Sequence, residues 1–263
     1  MKIGFIGTGN MGGAMINGIL ASSIVKPSDV FVSDISQSQL ETYKEKGVNT
    51  TTDNKVTAQN ADYIFLTVKP QFYETVLADL GDFPHKVYIT VAPGITTEFL
   101  RNALSQTTKV VRTMPNTPAL VGEGVTAVCR GKNVTDEEYE TVKKLLSAFS
   151  EIHELSEDKM DAVISVSGSS PAYVYMLIDA MAKSGERQGI PYETALRMAG
   201  KTVLGAAKLL LSSTEDTEVL IDKVCSKGGT TIEAVNHLRE HNFYKLIDDA
   251  MEACTRRALE LKK

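Results

Sequence analysis

With 263 residues, 43% of them hydrophobic and 23% charged, the chain is long enough to bury a sizeable core in one or two domains. No apolar run approaches the roughly 18 residues of a membrane span. Glycines interrupt the N-terminal region where a signal peptide needs a continuous apolar stretch, so a soluble, cytoplasmic protein is expected. A net charge of −5 without a basic run argues against nucleic acid as a partner.

Cys129, Cys225 and Cys254 are widely spaced, lack a CxxC pair and read as reduced thiols rather than a disulfide or zinc framework. His85, His153, His237 and His241 supply no metal set. His237 and His241 share a helix face, but HLREH lacks the HExxH order, so no metal is expected. Asn49-Thr50-Thr51 and Asn133-Val134-Thr135 match glycosylation acceptors only by chance in a chain without a secretory signal.

In chain order, the apolar run Ile3-Gly4-Phe5-Ile6 predicts a strand and leads into Gly7-Thr8-Gly9-Asn10-Met11-Gly12. The first glycine suits a tight turn, the second a close backbone approach to a pyrophosphate, and the third close packing of helix on strand. A lone GxGxxG can be an ordinary glycine-rich turn. A strand before it and a helical pattern from Met11 to Leu20 after it favour a dinucleotide grip. Asp29 to Ser33 forms a second strand, which Asp34 ends. That carboxylate either accepts from the ribose hydroxyls of a dinucleotide, which leans towards NAD(H), or caps the next helix. Ser33 and Ser36 could bond a phosphate, but no arginine stands beside them.

Tyr63 to Val68 is a continuous apolar run, as expected of a strand buried on both faces. Thr67 to Pro70 then borders the cofactor, unless Lys69 is merely a solvated strand end. Further strands are predicted at Val87 to Val91, ending in Ala92-Pro93-Gly94, and at Lys109 to Thr113, ending in Met114-Pro115-Asn116-Thr117-Pro118. Val125 to Cys129 and Ile152 to Leu155 finish the sheet, with a helix from Asp136 to Phe149 capped by Thr135.

From Ser156 the strand pattern stops, and apolar residues recur at helical spacing through Ala162, Val163, Val166, Ala172, Tyr173, Met176 and Leu177. The expected organisation is α/β: a Rossmann, doubly wound, mainly parallel sheet over residues 1–157 and an all-helical domain over residues 158–263. Tyr192 to Leu211 is a helix with small residues at Ala199, Gly200, Gly205, Ala206 and Ala207, whose broad face needs either a partner subunit or an intrachain core. Ser226-Lys227-Gly228-Gly229-Thr230-Thr231 precedes another helical pattern at Ile232. It reads as a seat for a carboxylate or phosphate, or as an ordinary Ser/Thr-capped helix start.

The ordered set GFIGTGNMG, FLTVKP, RTMPNTP, SGSSPAY and SKGGTT resembles the pyrroline-5-carboxylate reductase family across essentially the whole chain. The resemblance implies hydride transfer from NAD(P)H to the imine carbon of 1-pyrroline-5-carboxylate, giving L-proline, the last step of proline biosynthesis. It also implies a C-terminal helical dimerisation domain, with larger assemblies of dimers. By this resemblance Ser226, Gly229, Thr230 and Thr231 bind the substrate carboxylate, and Thr231 is the catalytic candidate because its hydroxyl can reach the ring nitrogen. The cofactor contacts it implies are Ile6, Gly7, Thr8, Gly9, Asn10, Met11, Asp34, Ser36, Asn54, Thr67, Val68, Lys69, Pro70, Ala92, Pro93, Gly94 and Asn116.

Two residues depart from the family pattern. Lys227 stands where proline is usual, and Asp34 is an acid where many relatives that favour NADPH have none, which keeps both NADP(H) and NAD(H) open. A β-hydroxyacid dehydrogenase of the same plan would need a base for the alcohol proton. Pro171 to Leu177 offers none, and Lys183 lies too far along. A dinucleotide-sensing protein would leave Ser226 to Thr231 without a task.

Overall fold

A computed structural model describes residues 1–81 and 83–262. The chain divides into two compact units, one built from Met1–Ser169 together with the segment from Cys254 onward, the other from Ser170–Ala253.

In chain order the first unit begins with β1 (Ile3–Ile6), α1 (Asn10–Ser22), β2 (Val30–Ser33), α2 (Gln37–Lys44), β3 (Asn49–Thr51) and α3 (Asn54–Asn60). It continues through β4 (Tyr63–Leu66), α4 (Tyr73–Leu80), β5 (Val87–Thr90), α5 (Thr97–Ala103) and β6 (Lys109–Pro115). It then runs through β7 (Gly124–Arg130), α6 (Asp136–Leu146) and β8 (Ser150–Glu154). The eight strands form one sheet in the order β3-β2-β1-β4-β5-β6-β7-β8. All pairings from β3 to β6 are parallel, β6 and β7 are antiparallel, and β7 and β8 are parallel. This is the doubly wound, mainly parallel α/β sheet expected from the alternating apolar runs.

Side chains alternate across each strand and so feed two cores. Ile3 and Phe5 join Met15, Ile16 and Ile19 of α1 and Val142 and Leu145 of α6, with Phe5 stacked on Phe65 of the neighbouring strand at 4.6 Å. Ile6 and Leu66 point the other way, into a core with Ala58 of α3 and Tyr73, Leu77 and Leu80 of α4. Gly4 lets α3 approach this face: a Cβ there would lie 2.9 Å from Ala61 Cβ and Thr57 Cγ2.

Several boundaries differ from expectation for definite reasons. The ladder between β6 and β7 extends to the pair Pro115 and Thr126, so Met114 and Pro115 are strand rather than loop. Asn49–Thr51, read as a chance glycosylation match, is the short edge strand β3, polar because one flank has no neighbour. Phe149 lies beyond the end of α6. Its periodic position reflects burial under α1, where a Cβ on Gly18 would come within 2.7 Å of Phe149 Cβ. The predicted cap of α6 forms as a full capping box, Thr135 Oγ1 accepting from the Glu138 N–H and Glu138 Oε2 from the Thr135 N–H.

The compact units part after Ser169, beyond the expected boundary at 157–158. Met160 is wholly buried against Ala127 and Cys129 of β7, which holds this stretch in the first unit. A single π-helical turn, Ile164–Gly168, follows, with the Ser169 N–H donating to the Ile164 carbonyl.

The second unit contains α7 (Ser170–Arg187), α8 (Tyr192–Ser212), α9 (Thr217–Val224), α10 (Thr230–Glu240) and most of α11 (Phe243–Glu260). Ala182, Ala195 and Ala199 are buried where α7 meets α8, and Gly185 permits the close approach, its added Cβ lying 3.0 Å from that of Ala195. Beyond Leu204 the α8 surface is open: Leu209 is 61% and Leu211 81% exposed. The chain's own core leaves that apolar face uncovered. Among the described residues, no helix is long and apolar enough to cross a membrane.

Candidate active site

The order β2-β1-β4 places the carboxyl ends of β1 and β4 side by side at the point where the winding reverses, which is where ligands bind in such sheets. At the end of β1 the chain turns through Gly7 at φ +101°, a conformation that L side chains rarely adopt. The Gly7 N–H donates to the Ser33 carbonyl at 2.8 Å. From β4, Thr67 clamps the same turn: its N–H donates to the Ile6 carbonyl and its hydroxyl to the Gly7 carbonyl at 2.6 Å. Gly12 packs so tightly that a Cβ would fall 2.5 Å from the Gly7 oxygen.

Gly9 differs from these two, since nothing lies within 4 Å of where its Cβ would be. It is also the N-cap of α1, which has no side-chain cap and no acid in its first turn. An uncapped N-terminus presents unpaired N–H groups and the positive end of the helix dipole, the donor set an anion such as pyrophosphate requires.

Beside this turn lies a cavity of about 530 Å³. Of the residues expected at a cofactor, Ile6, Gly7, Gly9, Asp34, Asn54, Thr67, Val68 and Lys69 line it. Lys69 has no anionic partner among the described residues, which leaves its ammonium available to a phosphate. Ser33, Ile35, Phe72, Thr75, Val76 and Asp79 also line the cavity and were not anticipated. Ile35, Phe72 and Val76 add an apolar wall suited to a flat base. An exposed isoleucine directly after Asp34 and the phenylalanine ending Lys69-Pro70-Gln71-Phe72 were the available signals.

The other expected cofactor residues do not line the cavity. Thr8 is buried and donates both its N–H and its hydroxyl to Asp34. Met11 packs on the α1 core, and the Ser36 hydroxyl meets that of Ser38. Asn10 is exposed at the start of α1, and Pro70 opens a short 3₁₀ turn. Ala92 and Gly94 are buried, and Pro93 between them is half-buried; a Cβ on Gly94 would lie 2.6 Å from the Leu261 oxygen. The Asn116 amide accepts from the Val125 N–H and donates to the Ser167 carbonyl.

Of the two roles expected of Asp34, the helix cap is not the one adopted. The N-cap of α2 is Ser36, and Asp34 instead joins the glycine turn to the start of that helix, its Oδ1 accepting from the Ser36 N–H at 2.9 Å. Nearby, Tyr43 is held above the ordinary phenol range, first by burial and second by the Asp34 charge.

In the second unit, Ser226 to Gly229 form a tight turn closed by the Gly229 N–H on the Ser226 carbonyl at 2.9 Å, with Gly228 at φ +68°. Gly229 is the N-cap of α10 and no side chain caps the helix, so the expected alternative of a Ser/Thr-capped start is not the one adopted. A Cβ on Gly229 would strike Ser226 Oγ at 2.2 Å. Ser226 and Thr230 are exposed and Thr231 half-buried, while Glu233 in the first turn partly offsets the helix dipole.

A buried ionic cluster was not anticipated. Arg112 of β6 is 2% exposed and donates through Nη1 to Glu157 Oε1 at 2.9 Å and through Nη2 to Asp161 Oδ1. Lys262 reaches the other Asp161 oxygen at 3.0 Å. Burial alone would raise the Asp161 pKa, but Arg112 and Lys262 outweigh it and hold the carboxyl below its usual range. Glu157 also accepts from the Thr97 hydroxyl, and the neighbouring Cys129 thiol is pushed up to about 11 by burial and by the Glu157 charge. The signal was an arginine inside an otherwise apolar strand.

Comparison with known proteins connects these features. Residues 157–261 match the family model described as pyrroline-5-carboxylate reductase dimerisation, and residues 2–94 match that described as NADP oxidoreductase, coenzyme F420-dependent. The chain is 39% identical over 265 residues to the pyrroline-5-carboxylate reductase of Escherichia coli (strain K12), covering 100% of this chain and 98% of that one. The chain belongs to the pyrroline-5-carboxylate reductase family. The solved pyrroline-5-carboxylate reductase of Coxiella burnetii superposes with a TM-score of 0.92 at 33% identity, over 100% of this chain and 98% of that one. The Plasmodium falciparum pyrroline carboxylate reductase with NADP bound gives 0.91 at 29% identity, again over 100% and 98%. Leu204, Leu209 and Leu211 of the open α8 face fall inside the residues that match the dimerisation model.

Proposed function

We propose that this chain transfers a hydride from NAD(P)H to the imine carbon of 1-pyrroline-5-carboxylate and releases L-proline. One observation carries the reading: a single chain of this family holds two glycine-rich turns, each leading into a helix whose N-terminus no side chain caps. The first suits a dinucleotide pyrophosphate and the second a small carboxylate.

NAD(P)H, when bound, supplies the hydride. The amides after Gly9 would hold its pyrophosphate, Lys69 would add positive charge, and Asp34 and Asn54 would take the ribose side. Ser226 and the amides of Gly229 and Thr230 would hold the substrate carboxylate, and the Thr231 hydroxyl would bond the ring nitrogen. A protonated imine is already electrophilic, so the protein's main contribution is alignment. In this reading residues 1–157 serve the cofactor. Residues 158–263 serve the substrate and self-association, with dimers able to assemble further. Three free cysteines support a reducing, cytoplasmic setting, and the acidic chain has no use for nucleic acid.

The test is loss of reduced-nicotinamide absorbance on adding pyrroline-5-carboxylate to purified protein. Turnover with at least one of the two dinucleotides is expected, and none with either would overturn the proposal. Thr231→Ala should lower kcat/KM about tenfold with an unchanged circular dichroism spectrum.

A further inference from the structure

Asp34 sits where β2 ends, at the edge of the cavity, with its carboxylate held from two sides. Oδ2 accepts the N–H and the hydroxyl of Thr8, each at 2.6 Å, and Oδ1 accepts the Ser36 N–H at 2.9 Å. Three hydrogen bonds fix a negative charge in one orientation. Oδ1 still has capacity to accept another donor, such as a ribose hydroxyl.

Among the described residues, no cation pairs with Asp34 from the β2 and β3 flank. The Ser33 hydroxyl donates to Asn54 Oδ1, and the Ser36 hydroxyl meets Ser38. Lys55, next to Asn54 on α3, is paired with Asp79 of α4 at 3.6 Å. Lys69 follows β4, on the opposite side of β1 from β2. A ribose with free hydroxyls therefore meets an acceptor, whereas a 2′-phosphate meets a like charge with nothing to neutralise it.

We propose that Asp34 makes this chain selective for NADH over NADPH, while its hold on Thr8 shapes the glycine turn for either dinucleotide. The proposal rests on the reading of the cavity as the dinucleotide site. It separates two roles of one carboxylate: charge sets the preference, and hydrogen bonding to Thr8 sets the geometry common to both ligands.

The test is calorimetric titration of NADH and of NADPH into the full chain without substrate. NADH should bind at least about tenfold more tightly. Asp34→Asn, which keeps an oxygen for Thr8 and removes the charge, should narrow that ratio about tenfold. Thr8→Val, which removes only the hydroxyl donor, should weaken both ligands by the same factor and leave the ratio intact. Equal or tighter binding of NADPH by the unaltered chain overturns the proposal without any variant, as does an Asp34→Asn ratio equal to that of the parent. If neither dinucleotide binds, the dinucleotide reading of the cavity falls as well. If both bind and NADPH is preferred, only the role of Asp34 falls.

Discussion

The two glycine turns, Gly7 to Gly12 and Ser226 to Thr231, end in the same device and are held in opposite ways. Each delivers the chain to an uncapped helix N-terminus. The first is wired to two neighbouring strands, to β2 through Ser33 and the clasp of Thr8 by Asp34 and to β4 through Thr67. The second is exposed and closed by a single backbone bond, and Glu233 tempers its helix dipole. On the proposed assignment, a carrier that must dock in one orientation at every turnover suits the rigid seat, and a small substrate that enters and leaves as product suits the one that can yield.

That contrast can be broken most severely at Gly12. Gly12→Ala drives a methyl into the Gly7 carbonyl, where only backbone can move, so kcat/KM should fall more than about a hundredfold and dinucleotide binding should fade in a titration. Arg112→Met comes next and acts on stability. Leaving buried Asp161 with Lys262 alone and Glu157 without its cation should remove about 3 kcal/mol in urea unfolding.

The same pair carries a pH signature. Because the folded Asp161 carboxyl is depressed, its contribution is present above the unfolded carboxylate value and is lost as pH falls through the folded one. The parent should therefore lose more stability on acidification than Arg112→Met does.

At the second turn the effects shrink. Gly229→Ala meets the end of one rotatable side chain, Ser226 Oγ, so the hydroxyl swings away and the substrate KM should rise about tenfold with little change in stability. Smallest of all, Lys227 occupies the second position of the turn, which suits proline, and Lys227→Pro should add about 0.4–1 kcal/mol measured by thermal unfolding.

The glycine turn and the sheet were legible because they depend on local pattern: apolar runs mark buried parallel strands, and Gly7, Gly9 and Gly12 each meet a different local demand. Residues whose place depends on tertiary neighbours were harder to read. Asn116 and Gly94 carry the marks of a loop beside a ligand, yet their surroundings are Val125, Ser167 and Leu261, distant in sequence. Asp34 was visible as an acid at a strand end, but not its attachment to Thr8, because a hydrogen bond across 26 residues leaves no periodic trace. Arg112 shows the same limit, its partners standing 45 and 49 residues away.

The return of α11 to the first unit bears on how the protein is made. Residues from Cys254 onward complete that unit, with Thr255 bonded to Ser165, Leu261 packed on the Gly94 turn and Lys262 on Asp161. During synthesis the nucleotide-binding sheet therefore emerges from the ribosome well before the segment that seals it. The intervening helices are translated while Asp161 still lacks one of its two counter-charges. Completion of the first unit is thus tied to completion of the second, and a nascent chain halted between the two would display an unsealed sheet to the cell's chaperones and proteases.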